Sequence, residues 1–182
     1  SGLMVVAKTD RAHASLTRQL KERRVEKTYA ALVEGIVRQD DGELDGPIAR
    51  HPRNRKKMAV VEGGREALTR YHVVRRYERS TLIEAYPRTG RTHQIRVHLS
   101  WRGYSIVGDT LYGNRNRVPP AASEKLVSCL QGFHRQALHA QQLTLSHPST
   151  DTDITWVCDP PEDFQELLTL VRDDSRITEA DP

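Results

Sequence analysis

The spacing of apolar residues predicts a helix near each end of the chain. Ala12, Leu16 and Leu20 recur at helical intervals, and Asp10 stands where it can cap the first turn. Near the other end, a helix is predicted to begin at Pro160, because proline is favoured in a first helical turn. The buried stripe of this second helix is predicted to consist of Phe164, Leu167, Leu168 and Val171.

β-Branched and aromatic residues are concentrated in segments of strand length that glycine and polar residues separate. The predicted strands are 1–8, 27–35, 57–61, 67–77, 80–87, 136–147 and 152–158. Residues 105–113 predict a strand followed by a turn, and a short helix is predicted over 123–130. Short polar breaks between 57 and 87 predict an antiparallel meander. Residues 40–57 predict a long loop or a hairpin arm. The whole pattern predicts an α+β fold with a mixed, largely antiparallel sheet.

The segment RTGRTHQIRVHL, residues 88–99, combines three arginines and two histidines with apolar residues. Its alternation is compatible with a strand, but its length favours a helix over 92–102 that stops at Gly103. Such a helix places His93 and Arg96 on one face. Charge this dense beside apolar residues needs a buried acid, a phosphate or water as its partner.

Arg96 stands between Ile95 and Val97, which predicts that its guanidinium is partly buried. A buried guanidinium needs a carboxylate or a phosphate, whereas the alternative is an exposed arginine, the commoner state. The nearest acid in a matching motif is Asp109 of GDTLYG. This motif first indicates a turn in which the aspartate caps the backbone. The residues alone therefore leave the partner of Arg96 open.

The composition is that of a globular protein, with 37% hydrophobic and 29% charged residues among 182. No apolar run approaches the roughly 20 residues of a membrane helix, and no signal peptide is recognisable, so we expect a cytoplasmic protein without membrane contact. Cys129 and Cys158 are predicted to be reduced. Neither their spacing nor that of His93 and His98 fits a metal site. Nucleotide-binding glycine motifs are absent, so no metal or cofactor is predicted.

Charge is distributed unevenly, although the net charge is only +4 and the isoelectric point about 9.2. Residues 50–57, RHPRNRKK, contain five lysines and arginines, whereas residues 173–182 are acidic. This separation suits a face that binds nucleic-acid phosphates, and the alternative is a solvated loop. We predict one domain over 1–172, followed by a flexible acidic tail over 173–182.

Seven segments together resemble the RluA/RluD-type family of RNA pseudouridine synthases, most closely its bacterial large-subunit rRNA branch. They are SGLMVVAKT, KTYAALVEG, RHPRNRKKMAVV, ALTRYHVV, TGRTHQIRVHL, VGDTLYG and RQALHAQQLTLSHP, in the order and spacing of the family. The resemblance implies the pseudouridine synthase fold, in which helices and loops flank the central sheet. It also implies the isomerisation of specific uridines to pseudouridine in large-subunit (23S) ribosomal RNA, without a cofactor.

The resemblance implies roles for Tyr29 and Arg96. In the family, the motif His-Arg-Leu-Asp-Lys-Asp-Thr precedes the segment that matches SGLMVVAKT, and the aspartate after the leucine is the nucleophile. That aspartate would lie upstream of Ser1, so the 182-residue chain is expected to be inactive and to lack the acid that pairs with Arg96. Tyr29 resembles the tyrosine that stacks on the extruded uracil and can accept the C5 proton.

The resemblance further implies which residues bind RNA. Arg53, Arg55, Lys56 and Lys57 would form an arm on the phosphates, Arg88 and Arg91 would line the mouth of the cleft, and His93 and Gln94 would contact RNA or hold the start of the helix. Asp109 is expected to be structural. The expected partner is ribosomal RNA, bound by a monomer. The alternative is a non-catalytic RNA-binding or ribosome-assembly module with the same fold.

Overall fold

An antiparallel sheet forms the centre of the protein. The computed structural model describes residues 1–113, 118 and 122–179. The strands are β1 (Glu26–Glu34), β2 (Asp41–Asp45), β3 (Ile48–Arg50), β4 (Met58–Val60), β5 (Leu68–Arg76), β6 (Ser80–Pro87), β7 (Leu138–Ser146) and β8 (Asp153–Val157). The helices are α1 (Asp10–Lys21), α2 (Gln94–Trp101), α3 (Glu124–Gly132) and α4 (Glu162–Glu179). Within this part of the chain, six strands pair in the order β2-β5-β6-β1-β7-β8, and β3 and β4 form a separate hairpin.

This architecture confirms the predicted α+β fold with a largely antiparallel sheet. The helices near both ends, the helix of the arginine-rich segment and the short helix before β7 are confirmed. Thr9, rather than Asp10, caps α1, since its hydroxyl accepts a hydrogen bond from the Ala12 amide at 3.2 Å. Of the loop or hairpin arm predicted over 40–57, residues 41–45 instead form β2 of the main sheet, and 48–57 form β3 and the loop that leads to β4.

Residues 1–8 do not form the predicted strand. Gly2 makes an isolated bridge to Ala140 of β7, and residues 3–8 belong to no strand. Leu3 packs against the cluster that contains Leu16 of α1. This side chain is partly buried, whereas Met4 and Val6 are exposed, so packing on α1 covers only part of the apolar segment.

Two other predictions differ from the structure. Of the strand and turn predicted over 105–113, the strand is reduced to an isolated bridge between Ile106 and Val33 of β1, and the turn is present, with Asp109 accepting a hydrogen bond from the Tyr112 amide. β4 pairs with β3, so the predicted meander is limited to β5 and β6. At the C-terminal end α4 continues to Glu179, so the boundary predicted after 172 falls inside a helix. Residues 180–182 of the predicted tail lie outside the described residues.

β1 is buried at the centre of the sheet, with Leu32 fully inaccessible. β7 pairs along β1 from Glu26, whereas β6 pairs with it from Tyr29 onward. α2 packs between the sheet and the hairpin, because Leu99 belongs to the main core and Val97 packs with Ile48 of β3. α2 therefore lies against the hairpin.

Candidate active site

A cleft of about 350 Å³ lies between the start of β1 and the start of α2. Tyr29 and Arg96, the two residues predicted to be catalytic, both line this cleft. Arg91, His93 and Gln94 lie in the same lining. Residues that are distant in the sequence thus share one concave surface, which is the usual form of a ligand site.

Arg96 is held by a carboxylate of this chain. Its Nε and Nη2 donate to Asp109 Oδ2 and Oδ1 at 2.7 and 2.9 Å. The Asp109 side chain is inaccessible and that of Arg96 is 14% exposed. Hydrogen bonding to Asp109 raises the pKa of Arg96. Burial acts to raise the pKa of Asp109, but the hydrogen bonds it accepts outweigh burial, and the pKa lies below its usual value.

This pair corrects one expectation and confirms another. The chain was expected to contain no acid that pairs with Arg96, and this is wrong, because Asp109 forms such a pair, while pairing with the aspartate expected upstream of Ser1 stays a prediction. The expected turn-capping role of Asp109 is confirmed, since its Oδ1 also accepts the amides of Leu111 and Tyr112 at 2.9 and 3.0 Å. Within the described residues, Nη1 of Arg96 makes no hydrogen bond, so a donor remains for a ligand in the cleft.

Tyr112 connects Arg96 to the hairpin. The guanidinium carbon of Arg96 lies 4.9 Å from the centre of the Tyr112 ring, within the range of a cation–π contact. Tyr112 Oη accepts a hydrogen bond from the Met58 amide of β4 at 2.8 Å. Oη also lies 2.9 Å from Nδ1 of His93. The orientation of Arg96 and the position of the start of β4, at the loop end of the hairpin, therefore depend on the same side chain.

His93 directly precedes α2 and has a left-handed backbone conformation, with φ of 57°. Burial, followed by the charge of Arg96, lowers the pKa of His93, so the ring is neutral at pH 7. The Tyr112 hydroxyl oxygen accepts a hydrogen bond from the Met58 amide, and the hydroxyl proton is available for donation to Nδ1 of the neutral His93 ring. His93 thus helps to hold the start of the helix, one of its two predicted roles.

Gln94 also holds the start of α2, which is one of the two roles predicted for it. Its side chain is buried, and its Oε1 accepts from the Thr89 hydroxyl and the Arg91 amide at 2.6 and 3.0 Å. Its Nε2 donates to the Leu68 carbonyl and the Thr69 hydroxyl, both at 3.0 Å. These four bonds use the full capacity of the amide, which leaves none for RNA.

The basic loop, residues 51–57 between β3 and β4, is internally hydrogen-bonded. His51 Nδ1 accepts the amides of Arg53 and Asn54, both at 3.1 Å. The Lys56 amide donates to Asn54 Oδ1 at 3.1 Å. The predicted phosphate-binding residues are Arg53, Arg55 and Lys56, which are exposed, and Lys57, which is half-buried. A loop ordered in this way presents its cations before any ligand arrives, which lowers the entropic cost of binding.

The structure separates the two arginines that were predicted to line the mouth of the cleft. Arg91 lines the cleft, and its Nε donates to the Glu66 carbonyl at 2.9 Å. Arg88 is exposed and lies outside the lining, with its amide bonded to the Leu68 carbonyl at 2.9 Å. Any contact of Arg88 with RNA would therefore be made outside the cleft.

Sequence reasoning missed two residues of this region. Lys27 lines the cleft, two residues before Tyr29 in β1. Tyr112 stands in the GDTLYG turn, where only the aspartate was considered. Burial raises the pKa of Tyr29, which keeps its hydroxyl neutral at pH 7.

The described residues contain no group of three or more His, Cys, Asp or Glu residues that could hold a metal ion. Cys129 and Cys158 are both free, as predicted. Among the helices described, none has the length and apolar character needed to cross a membrane.

Comparison with known proteins identifies the family. Residues 1–101 match the family model for RNA pseudouridylate synthase. The ribosomal large subunit pseudouridine synthase D of Pseudomonas aeruginosa is 49% identical over 174 residues, which are 96% of this chain and 54% of that protein. Its counterpart in Xanthomonas campestris is 46% identical over 175 residues, 96% of this chain and 53% of that protein. The chain thus spans about half the length of these curated relatives.

A solved structure extends the similarity to the fold. Human RNA pseudouridylate synthase domain containing 4 superposes with a TM-score of 0.72 at 30% identity, over 93% of this chain and 70% of that chain. The central sheet, the helices around it and the sequence of the first 101 residues therefore agree in one assignment. This chain belongs to the RNA pseudouridylate synthase family.

Proposed function

We propose that this protein isomerises specific uridines of large-subunit ribosomal RNA to pseudouridine. The observation that carries the proposal is that Tyr29 and Arg96 line one cleft, with the guanidinium fixed in place by Asp109. The choice of RNA is supported by relatives whose names state that they are large-subunit pseudouridine synthases.

The reaction needs a carboxylate, a support for the base and a proton acceptor. The bond between uracil N1 and ribose C1′ breaks, the base turns, and C5 bonds to C1′. C5 loses a proton and N1 gains one, so atoms and electrons balance without a redox cofactor. A carboxylate near the ribose serves as nucleophile at C1′ or as base at C2′.

We assign Arg96 the task of orienting that carboxylate. Asp109 occupies Nε and Nη2, so Nη1 is the nitrogen available to a second acid. The carboxylate would come from the His-Arg-Leu-Asp motif, which in the resembling family precedes the segment matching Ser1–Thr9 and is not among the 182 residues. A guanidinium between two carboxylates keeps both of them ionised.

We assign Tyr29 the task of stacking on the extruded uracil. Removing a base from its stack costs a few kcal/mol. Stacking on an aromatic side chain returns about 1–3 kcal/mol per base. The Tyr29 hydroxyl, at the same place, is the group we assign to the transfer of the C5 proton.

Tritium release from RNA labelled at uridine C5 tests this function. We expect release by a chain preceded by His-Arg-Leu-Asp-Lys-Asp-Thr and none by the 182-residue chain alone, because the alternative acid Asp109 is committed to Arg96 and the turn. The control is the same extension with asparagine at the nucleophilic position. Release by the 182-residue chain would assign the chemistry to an internal acid such as Asp109. Release by neither would favour a non-catalytic RNA-binding module.

Neutralising the basic loop is expected to weaken RNA binding and its dependence on salt. Each phosphate contact on single-stranded RNA contributes about 0.7 to the slope of log K against log salt, so four glutamines should lower the slope by about 3. The variant carries glutamine at Arg53, Arg55, Lys56 and Lys57. Fluorescence anisotropy between about 50 and 200 mM salt measures the change.

A matched control separates local binding from general charge. It carries glutamine at Lys8, Arg11, Arg18 and Lys21, four exposed cations on or next to α1. This control removes the same charge and is expected to retain most of the slope. Equal losses in the two variants would contradict a specific role for the basic loop.

A further inference from the structure

Lys27 brings a positive charge into the cleft at the strand that carries Tyr29. The two residues stand two positions apart in β1, and both side chains line the cleft. β6 pairs with β1 from Tyr29 onward, so the segment that contains Lys27 has β7 as its partner on one side and the cleft on the other. Lys27 is therefore adjacent to the place assigned to the extruded base.

The ammonium of Lys27 lacks the compensation that the other cations of the cleft have. Arg96 is paired with Asp109, and Arg91 donates to a backbone carbonyl. Lys27 makes no hydrogen bond or ion pair within the described residues, and no aspartate or glutamate belongs to the lining of the cleft. It is half-buried, and burial lowers its pKa. A cation that is partly removed from water favours an anion as its partner, and since the catalytic carboxylate is assigned to Arg96, the anions that RNA itself brings to Lys27 are phosphates.

We propose that Lys27 is an anion subsite that binds an RNA backbone phosphate next to the uridine placed against Tyr29. This inference rests on the proposed function, because it takes the RNA strand as the occupant of the cleft. An ammonium is a compact charge with three rotatable donors, which suits a phosphate whose direction changes when a nucleotide is extruded. Held at one phosphate and at its base, the nucleotide is fixed at two points along β1.

This subsite differs from the basic loop in what it does. The exposed cations of the loop can engage phosphates of many nucleotides and mainly add affinity. Lys27 lies within the cleft, so it can contact a phosphate only when the RNA strand enters the cleft. Whether Lys27 contacts a phosphate therefore depends on the local position of the RNA in the cleft and not on the total charge of the protein.

RNA binding by the 182-residue chain tests this inference. The probe is a fluorescein-labelled single-stranded RNA with one uridine, together with a set of the same RNA in which one phosphate at a time is a neutral methylphosphonate. Lys27→Gln is expected to lower the salt slope by about 0.7 to 1, the contribution of a single contact. It should also remove the sensitivity to methylphosphonate at one phosphate beside the uridine and leave the other sensitivities unchanged.

Two further variants make the result decisive. Lys27→Arg keeps the charge and should retain the slope, and Lys21→Gln removes an exposed charge of α1 and should also retain it. Unchanged slope and unchanged phosphate sensitivities in Lys27→Gln would overturn the subsite while leaving the proposed function intact. Equal loss in Lys27→Gln and Lys27→Arg would overturn it as well, because charge would not be the cause. Failure of the unaltered chain to bind RNA would overturn both proposals.

Discussion

Asp109→Asn is expected to lower the free energy of unfolding by about 3–5 kcal/mol, the usual cost of leaving one member of a buried ion pair without its partner. The substitution preserves the size of the side chain but removes the charge that compensates Arg96, which is only 14% exposed. The new amide group also turns hydrogen-bond donors toward the guanidinium or toward the amides that Asp109 caps. Urea denaturation followed by circular dichroism measures the difference.

The pair between Arg135 and Asp163 provides a matched control. It has the same two-bond geometry, with N–O distances of 2.8 and 2.7 Å, but its side chains are 30% and 50% exposed. Asp163→Asn should therefore cost at most about 1 kcal/mol, as surface ion pairs do. Equal losses in the two variants would show that burial is not what makes the Arg96–Asp109 pair important.

The stabilisation from Asp109 should depend on pH in a defined direction. The pKa of Asp109 is lowered in the folded protein, so its ionised form favours folding. The contribution is fully present above the unfolded pKa of about 3.9 and is lost as the pH falls through the folded value. The gap in unfolding free energy between the unaltered chain and Asp109→Asn should be constant from pH 8 to 5 and shrink below about pH 4.

The elements that could be predicted from sequence are those determined by local pattern. α2 was predictable because Ile95 and Leu99 repeat at the helical interval and Gly103 stops the helix. The structure of residues 1–8 was not predictable, because an apolar segment can pair with a strand or pack on a helix. The position of α1 decides between these two arrangements. The edge strand β2 was missed because the polar and glycine residues of 40–46 resemble a loop, whereas the other edge strand, β8, was predicted.

In the candidate site, too, some features could be predicted from the sequence and others depend on the folded chain. Tyr29 and Arg96 were assigned through the family resemblance, and their common cleft requires the folded chain. Asp109 was correctly predicted to cap a turn, and this role was weighed against pairing with Arg96. A carboxylate has about four acceptor positions, so one side chain can do both when it is buried beside the guanidinium. Sequence cannot reveal that proximity because it arises from the packing of α2 on the turn.

Tyr29→Phe is expected to lower the rate of pseudouridine formation by about 10²- to 10⁴-fold in the chain that carries the nucleophilic motif, the range lost when a general acid or base is removed. The ring remains, so RNA affinity should change little. Tyr29→Leu should lower the rate as well and also weaken RNA binding, since stacking contributes about 1–3 kcal/mol. Single-turnover tritium release separates the chemical step from binding.

The pH dependence of that rate identifies the proton acceptor. Because burial raises the pKa of Tyr29 above its usual value, the ionised fraction should increase about tenfold per pH unit throughout the range from 7 to 9. A rate that rises in parallel, and loses this dependence in Tyr29→Phe, assigns the C5 proton to the ionised hydroxyl. Tyr86→Phe removes a hydroxyl of β6 that lies outside the cleft lining and should leave rate and profile unchanged. A Tyr29→Phe variant as fast as the unaltered enzyme would limit Tyr29 to stacking and transfer the proton to another group of the cleft.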